Sequence, residues 1–323
     1  MQNCTRRRCA GSRFREPGSC RRREPTGEPI DSCQVTIMHD KPRTRSEIVD
    51  AMKEAARIGG ESPAENFARL SALPILEKGP SDFVSAADIE SERLIVAHLN
   101  EKPPEVAVLG EEGAASPDAG NGLRIIIDPL DGTNNFLHGI PQFSASLALM
   151  EGDEVTAGVT YNPLSGEMFW AAAGQGAYLG DRRLSGSGRK SLAHAVVGTC
   201  FPYNGKGDTE RAAREMAAIM PRVSGIRSPG SAALEIAYVA EGRFDGFWTS
   251  GARLDLWDLA AGVIIAREAG CLATEIDGDG DPLQCRSLVV APRQFHGHFI
   301  EIFRSTRATG TRNGAAPVAQ LRY

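Results

Sequence analysis

The feature that most constrains the fold is a run of three isoleucines, residues 125–127, followed at once by a turn that carries two aspartates. An unbroken aliphatic run predicts a central strand that is covered on both faces. Pro129 has no backbone N–H to donate and the Asp131-Gly132 pair favours a turn, so the strand should end there. Asp128 and Asp131 can converge on one point, as the ligands of a hard cation must.

The residues after the second aspartate can form an anion site. Gly132, Thr133 and Asn134 follow it, and their backbone N–H groups can face an anion if a short helix starts there. A hard cation beside such a site predicts phosphate chemistry. The alternative interpretation is an ordinary surface turn, because Asp, Pro and Gly are common in the turns of any protein.

The composition is that of a globular chain. Its 323 residues are 41% hydrophobic and 24% charged, close to the average, and allow one large domain or two packed halves. The net charge of −5 gives no general reason to expect a nucleic-acid or membrane partner, and we predict neither. The sequence contains no apolar run of about 18 residues, so we also predict no transmembrane helix.

The N-terminal 43 residues differ from the rest of the chain. They are rich in Arg, Pro, Gly and Cys, show no apolar periodicity, and hold eight arginines and four acidic residues within residues 1–37. We predict a disordered extension over residues 1–43, with a nucleic-acid-binding arm as the alternative.

The seven cysteines fit neither a zinc site nor a disulfide framework. Four of them lie in the N-terminal extension, at spacings that match neither pattern. Cys200, Cys271 and Cys285 lie in apolar or mixed segments and are typical of packed, reduced thiols. This usage predicts a reducing, cytoplasmic compartment.

Apolar spacing divides the remaining chain into two halves and a tail. Residues 44–185 begin with a capping-box pattern and predict an α+β half of two helices and antiparallel strands. Residues 186–305 alternate predicted strands and helices, which favours an α/β half. Residues 306–323 are rich in Gly, Ala, Arg and Thr, and we expect a flexible tail.

Several familiar site patterns are incomplete. The glycines of residues 174–180 are one residue too widely spaced for a dinucleotide loop, and Pro282 stands where a calcium loop needs Gly. The six histidines show no H-E-x-x-H or paired metal spacing, so a zinc hydrolase is disfavoured. Residues 128–133 follow D-x-x-D-x-T, not the D-x-D-x-T of haloacid-dehalogenase phosphatases, which favours direct attack by water over a covalent aspartyl intermediate.

Acidic side chains at the ends of predicted strands and helices are the remaining candidates. Taken alone, each is more typical of a solvated surface charge or a helix cap. Asp258 is the most informative, because it lies in the first turn of an apolar helix, where a buried carboxylate gains from the helix dipole but still needs a partner. The candidates are Asp88, Glu111, Glu112, Asp128, Asp131 and Asp258.

A set of carboxylates without soft ligands favours Mg²⁺ over zinc or copper. Two such ions about 4 Å apart could clamp an in-line displacement at phosphorus, by lowering the pKa of the attacking water and stabilising the leaving alkoxide. Thr133 could hydrogen-bond that water if a carboxylate such as Asp88 orients its hydroxyl.

Three motifs, taken together, resemble the inositol monophosphatase family. They are Gly110-Glu111-Glu112, Asp128-Pro129-Leu130-Asp131-Gly132-Thr133 with Asn135-Phe136, and Trp257-Asp258-Leu259-Ala260-Ala261-Gly262. The supporting stretches are Lys78 with Asp82-Phe83-Val84-Ser85 and Asp88, Gly176-Ala177-Tyr178, and Gly230-Ser231-Ala232-Ala233. The resemblance covers about residues 44–300 in family order and spacing, and the combination is highly specific.

The resemblance implies an α/β protein with a layered α/β/α/β/α fold, a homodimer, and lithium-sensitive hydrolysis of a small phosphate monoester, inositol monophosphate first among them. It implies two or three Mg²⁺ ions, bound by Glu111, Asp128, the carbonyl of Leu130, Asp131 and Asp258. Thr133 and Asp88 would activate the water, with Glu111 close to it. Phosphate would bind to the backbone N–H groups of Gly132 and Thr133, and the full set of implied substrate contacts is Asp131, Gly132, Thr133, Gly230, Ser231 and Ala232.

One position departs from the family pattern. Many inositol-specific members carry a Glu about seven residues before the Trp-Asp aspartate, where it meets substrate hydroxyls, and this chain has Gly251 there. Arg253 or Asp255 could compensate. Fructose bisphosphate, histidinol phosphate and adenosine bisphosphate are therefore alternative substrates, and a non-catalytic regulatory relative is a more distant alternative.

Overall fold

The computed structural model describes residues 44–67, 70, 75–79, 82–101, 106–117, 120–203, 207–252, 254–276, 280–283 and 287–309. The predicted extension over residues 1–43 and most of the predicted tail lie outside these ranges, as do Arg253 and Cys285. Within the described part, no helix combines the length and the apolar character that crossing a membrane requires.

The helices of the described part are α1 (Arg45–Phe67), α2 (Ala86–Asn100), α3 (Thr133–Leu137), α4 (Thr209–Ile219), α5 (Ala232–Glu241), α6 (Leu256–Glu268) and α7 (Arg293–Thr309). Its strands are β1 (Ile75–Gly79), β2 (Asp82–Ser85), β3 (Ala107–Gly110), β4 (Leu123–Asp131), β5 (Ser144–Glu151), β6 (Glu154–Asn162), β7 (Glu167–Ala172), β8 (Gly176–Leu179), β9 (Arg182–Arg183), β10 (Val196–Thr199), β11 (Gly225–Arg227), β12 (Gly246–Thr249), β13 (Cys271–Thr274) and β14 (Leu288–Pro292).

The first large sheet has the strand order β3-β4-β5-β6-β7-β8-β9. Its pairs from β4 to β9 are antiparallel, as predicted, but β3 pairs with β4 in parallel. The expectation of antiparallel strands throughout this half was therefore wrong at one edge. The parallel pair has a consequence for function, because it brings the carboxyl ends of both strands to the same edge, where Gly110 pairs with Ile127.

The second large sheet is mixed and has the order β11-β10-β12-β14-β13. Strand β10 lies parallel to both β11 and β12, whereas β14 runs antiparallel to β12 and β13. The short loop before α5 follows β11, so the N-terminus of α5 lies at the carboxyl end of this sheet. In open α/β sheets, ligands bind at the carboxyl ends of the strands.

The helices and sheets form the predicted α/β/α/β/α layers. Helices α1 and α2 pack on the outer face of the first sheet, α5 and α6 lie between the two sheets, and α4 and α7 cover the second sheet. The middle layer explains the composition of α6, whose residues 259–266 are all buried because sheets cover it on both sides.

Helix α7 was not predicted, although its phenylalanines recur at helical spacing. Phe295, Phe299 and Phe303 are buried against the second sheet and define the inner face of the helix. The helix continues to Thr309, and Thr306 is buried with its hydroxyl donating to the Phe303 carbonyl. The predicted start of the tail at residue 306 is therefore four residues too early.

Candidate active site

Most of the predicted site residues meet in one cavity of about 340 Å³. The cavity opens where the carboxyl end of β4, the start of α5 and the start of α6 come together. Asp88 and Ser231 are not part of its lining and lie one hydrogen bond behind it. The predicted residues that line it are Glu111, Asp128, Leu130, Asp131, Gly132, Thr133, Gly230, Ala232 and Asp258.

The end of β4 aims both aspartates into this cavity. The register between β4 and β5 shifts between Asp128 and Asp131, a bulge of the kind that redirects side chains. The strand continues through Pro129 to Asp131 instead of ending at the proline, and the Leu130 N–H donates to Asp128 Oδ1 at 3.0 Å within this irregular end. The predicted convergence of these two carboxylates is confirmed.

Asp258, at the start of α6, completes a cluster of three carboxylates. One oxygen from each of Asp128, Asp131 and Asp258 lies within 4.8 Å of the others. Asp128 and Asp131 are buried, at 1% and 7% exposure. Buried like charges at this distance need a cation, and an all-oxygen donor set suits a hard divalent metal. The residues present thus fit a metal ion.

The raised pKa values of the metal-free cluster also favour a bound cation. Burial raises the pKa of Asp128 well above its usual range, and repulsion from Glu111, Asp131 and Asp258 raises it further. Burial and then repulsion from Asp131 do the same to the pKa of Asp258. Burial raises the pKa of Asp131 to about 6, against several hydrogen bonds that lower it. Full ionisation of the cluster at neutral pH therefore requires a compensating positive charge.

Glu111 reaches the cluster because of the parallel β3–β4 pair. Its backbone N–H donates to the Ile127 carbonyl at 3.0 Å, so it stands beside Asp128 at the ends of the two strands. Its carboxyl group also hydrogen-bonds with that of Asp128. Glu112, the next residue and another sequence candidate, is not among the residues that line the cavity.

Asp131 also joins the two halves of the protein. Its carboxylate accepts the Ser231 hydroxyl and the backbone N–H groups of Ala232 and Ala233, at 2.5, 3.1 and 3.0 Å. These donors belong to the first turn of α5, whose N–H groups lack helical partners. Ser231, which the resemblance implies as a substrate contact, is fully buried here and directs its hydroxyl at Asp131.

Thr133 and Asp88 form a hydrogen-bonded pair, as predicted from the sequence. The Thr133 hydroxyl lies 2.9 Å from Asp88 Oδ1 and 3.1 Å from the Leu130 carbonyl. The other oxygen of Asp88 accepts the N–H and the hydroxyl of Ser85, the residue that caps α2. Burial raises the pKa of Asp88 against these hydrogen bonds, which lower it.

Gly132 has a conformation that other residues rarely adopt. Its φ is +98°, and a Cβ there would lie 3.0 Å from the Gln142 carbonyl and 3.1 Å from the Gly230 carbonyl. Helix α3 begins immediately after it, which meets the condition set for an anion site here, and Asn134 joins Gly132 and Thr133 in the cavity wall. Asn135, for which no role was predicted, donates to the Gln142 and Pro229 carbonyls at 2.7 and 2.6 Å and ties α3 to the loop before α5.

Gly251 is not among the residues that line the cavity. The Asp208 N–H donates to its carbonyl at 2.7 Å, and a Cβ on Gly251 would lie 2.6 Å from the Asp208 carbonyl. A larger residue at this position would therefore displace the start of α4. Of the two residues considered as substitutes, Asp255 lines the cavity, together with Cys200, Phe201, Pro202, Tyr203, Ala252, Leu254 and Trp257.

Sequence reasoning missed Cys200, Phe201 and Tyr203 as lining residues, since they follow the end of β10 without a recognisable motif. Cys200 is a free thiol whose pKa is raised well above its usual range by burial, as expected for a reduced, packed cysteine. Glu92 was not predicted either, although its position in the helix carries a signal. A carboxylate four residues after Asp88 stands on the same α2 face as buried Ile95 and Leu99.

Comparison with known proteins gives a consistent result. The model of the inositol monophosphatase family matches residues 44–308. An inositol-1-monophosphatase of Rhizobium meliloti is 44% identical over 245 residues, which are 76% of this chain and 91% of that protein. A Pseudomonas aeruginosa protein named Nus factor SuhB is 39% identical over 71% of this chain and 86% of its own length. The crystal structure of extragenic suppressor protein suhB from Bartonella henselae superposes with a TM-score of 0.76 at 37% identity, covering 80% of this chain and 98% of that one.

Proposed function

We propose that this chain, which belongs to the inositol monophosphatase family and is a phosphoric monoester hydrolase, converts inositol monophosphate to inositol and phosphate. One observation carries the proposal. Three aspartate oxygens lie within 4.8 Å of one another in a cavity that also contains Thr133, whose hydroxyl is bonded to a buried carboxylate. This combination suits metal-assisted attack of water on a phosphate ester.

Mg²⁺ is the proposed metal, in two or three ions. Glu111, Asp128, the carbonyl of Leu130, Asp131 and Asp258 would hold them, since all five line the cavity and offer only oxygen. When bound, the ions supply positive charge that lowers the pKa of the attacking water and stabilises the leaving alkoxide.

Thr133 and Asp88 are the proposed pair that handles the water proton. Asp88 accepts the hydrogen of the Thr133 hydroxyl, so the Thr133 oxygen keeps its lone pairs free to accept a hydrogen bond from the water. Glu111, at the end of the neighbouring strand β3, would orient the same water. As the new P–O bond forms, the water proton would pass to the Thr133 oxygen and the Thr133 hydroxyl proton to Asp88. The ester P–O bond would break at the same time, and the leaving alkoxide would take a proton from solvent.

Substrate phosphate would bind at the backbone N–H groups of Gly132 and Thr133, where α3 begins. Gly230 and Ala232 would border the ester from the opposite wall, and Asp131 would contact both metal and substrate. Ser231 would not contact the substrate directly and would hold Asp131 in place through its hydrogen bond.

The residues that line the cavity also suit a second class of substrate. Phe201 and Tyr203 are 41% and 44% exposed and line the cavity together with Leu254 and Asp255. An apolar and aromatic wall would also accept a sugar or nucleotide ester. A non-catalytic regulatory role is less consistent with the complete set of acidic residues.

Two measurements test this proposal. Phosphate release should depend on Mg²⁺ and stop with EDTA, and metal-independent or absent turnover on every monoester would contradict it. A panel of inositol 1-phosphate, fructose 1,6-bisphosphate, histidinol phosphate and adenosine 3′,5′-bisphosphate should then show the highest kcat/KM for inositol 1-phosphate.

We further propose a cytoplasmic homodimer that acts on small molecules and has no nucleic-acid or membrane partner. Cysteine usage supports the compartment, and the net charge supports the absence of a polyanionic partner. Light scattering and an RNA-binding assay at physiological salt would check both parts.

A further inference from the structure

One face of α2 approaches the site from behind with three polar side chains. Asp88, Ser91 and Glu92 are buried and, at spacings of three and four residues, point the same way. Asp88 accepts the Thr133 hydroxyl, and Ser91 donates to the Pro129 carbonyl at 3.1 Å. The first two thus contact the end of β4 and the start of α3, while Glu92 reaches a different segment.

The Glu92 carboxylate binds the turn that carries Glu111. Its Oε2 accepts the backbone N–H of Glu112 at 2.9 Å, and its Oε1 accepts that of Ala114 at 2.8 Å. The turn closes on itself through the Gly110 N–H, which donates to the Ala114 carbonyl at 2.7 Å. Glu92 is only 5% exposed, so these hydrogen bonds are shielded from water.

Gly110 provides the space for this contact. A Cβ at position 110 would lie 2.0 Å from Glu92 Oε2, which is much shorter than any contact between non-bonded heavy atoms. The first glycine of the Gly-Glu-Glu motif is therefore explained by a side chain on α2, and not by an unusual backbone conformation.

We propose that Glu92 is a positioning residue for the metal site. With both oxygens bonded to successive points of the turn, it fixes the direction in which Glu111 leaves β3, so that the Glu111 carboxyl faces Asp128. The inference rests on the proposed role of Glu111 as a metal ligand. Residues that orient the ligands of a metal typically change its affinity by about 10- to 100-fold when they are replaced.

Glu92→Gln is the direct test, because its amide group can accept only one of the two N–H groups. Isothermal titration with Mg²⁺ or Mn²⁺ in the absence of substrate should show affinity weakened by about 10- to 100-fold. The Mg²⁺ concentration for half-maximal activity should rise by the same factor. At saturating Mg²⁺, KM for the phosphate ester should be unchanged and most of kcat should return.

Glu90→Gln is the matched control. Glu90 lies on the same helix but pairs with Arg93 at the surface, so the variant should bind Mg²⁺ like the wild type. Gly110→Ala is the second test, since its methyl group would push Glu92 off the turn without altering a carboxylate. It should reproduce the weakened metal affinity, and the double variant should be no worse than either single variant.

The outcomes are distinguishable. Wild-type metal affinity in Glu92→Gln with a lowered melting temperature would mean that Glu92 only stabilises the fold, and the inference would be wrong. Additive losses in the double variant would also overturn it. If Glu92→Gln does not fold, Gly110→Ala alone decides. Failure of the wild-type protein to bind Mg²⁺ at all would instead refute the proposed function.

Discussion

The metal-free protein should become more stable when Asp128 is replaced by Asn, although the same change should abolish turnover. The reason is that buried, mutually repelling carboxylates oppose folding when no cation is present. Asn keeps the Oδ1 that accepts the Leu130 N–H at 3.0 Å and has nearly the same volume as Asp. The variant therefore removes charge while leaving the packing in place.

The size of the gain follows from the geometry. Two unit charges separated by 4.8 Å repel by about 3 kcal/mol at an effective dielectric constant of roughly 20, and Asp128 has two such neighbours. The folded protein partly escapes this repulsion by taking up protons. Burial of Asp131, which raises its pKa from 3.8 to about 6, costs about 3 kcal/mol at a pH above both values, but this cost remains in the variant. We expect Asp128→Asn to gain about 2–4 kcal/mol at pH 8.

The assay is thermal unfolding in EDTA at several pH values. A carboxylate whose pKa is raised by folding destabilises the folded protein as the pH rises from its unfolded pKa through its folded pKa. The difference in melting temperature between the variant and the wild type should therefore grow from pH 5 to pH 8. At pH 8 the melting temperature should rise by roughly 3–6 °C. Added Mg²⁺ should stabilise the wild type strongly and the variant little.

Asp153→Asn is the control, because Asp153 is exposed in the turn between β5 and β6. It should melt like the wild type at every pH. An Asp128→Asn variant that melts at or below the wild-type temperature in EDTA at pH 8 would refute the reasoning. A gain that does not vary with pH would do so too, because it would then reflect packing and not charge.

Three further predictions concern the same structure. Thr133→Ala should lower kcat by about 10²- to 10⁴-fold in a phosphate-release assay, while Thr133→Ser, which keeps the hydroxyl, should retain most activity and both should bind Mg²⁺. EDTA should lower the wild-type melting temperature much more at pH 8 than at pH 5, where carboxylates such as Asp131, with a pKa of about 6, hold protons; equal shifts would contradict this. Burial lowers the pKa of His296 below 6.5, so its contribution to stability is present above pH 6.5 and should be lost as the pH falls through the lower pKa of the folded state. In that pH range the melting temperature of His296→Gln should depend less on pH than that of the wild type. The same change at exposed His298 should have no such effect.

The sequence was most informative where chemistry and turn formation depend on the same few residues. The β4 motif could be placed because an aliphatic run, a proline and a glycine fix the end of a strand locally, and the aspartates lie within that local unit. Asp258 could be placed because a carboxylate at the start of a buried apolar helix needs a partner such as a cation. Such inferences need no knowledge of which strands are neighbours.

What the sequence could not supply depends on contacts between distant segments. The parallel pairing of β3 with β4, which puts Glu111 beside Asp128, has no local signature, because a strand of four residues carries no mark of its direction. The hydrogen bonds from the start of α5 to Asp131 span about a hundred residues of chain. The helical spacing of Glu92 with Asp88 and Ile95 indicates a buried face, but it does not indicate which turn the Glu92 carboxylate contacts.

Asp131 shows why these distant contacts matter to the chemistry. Its oxygens already accept three donors from the start of α5, which lower its pKa and fix its position without a metal. Asp128 has no comparable set of donors and takes the full effect of burial and repulsion. The cluster therefore combines one carboxylate held in place by the second half of the chain with others whose charge is stable only beside a cation. Folding of the two halves onto each other brings these carboxylates together, and the proposed metal would relieve the repulsion that folding creates.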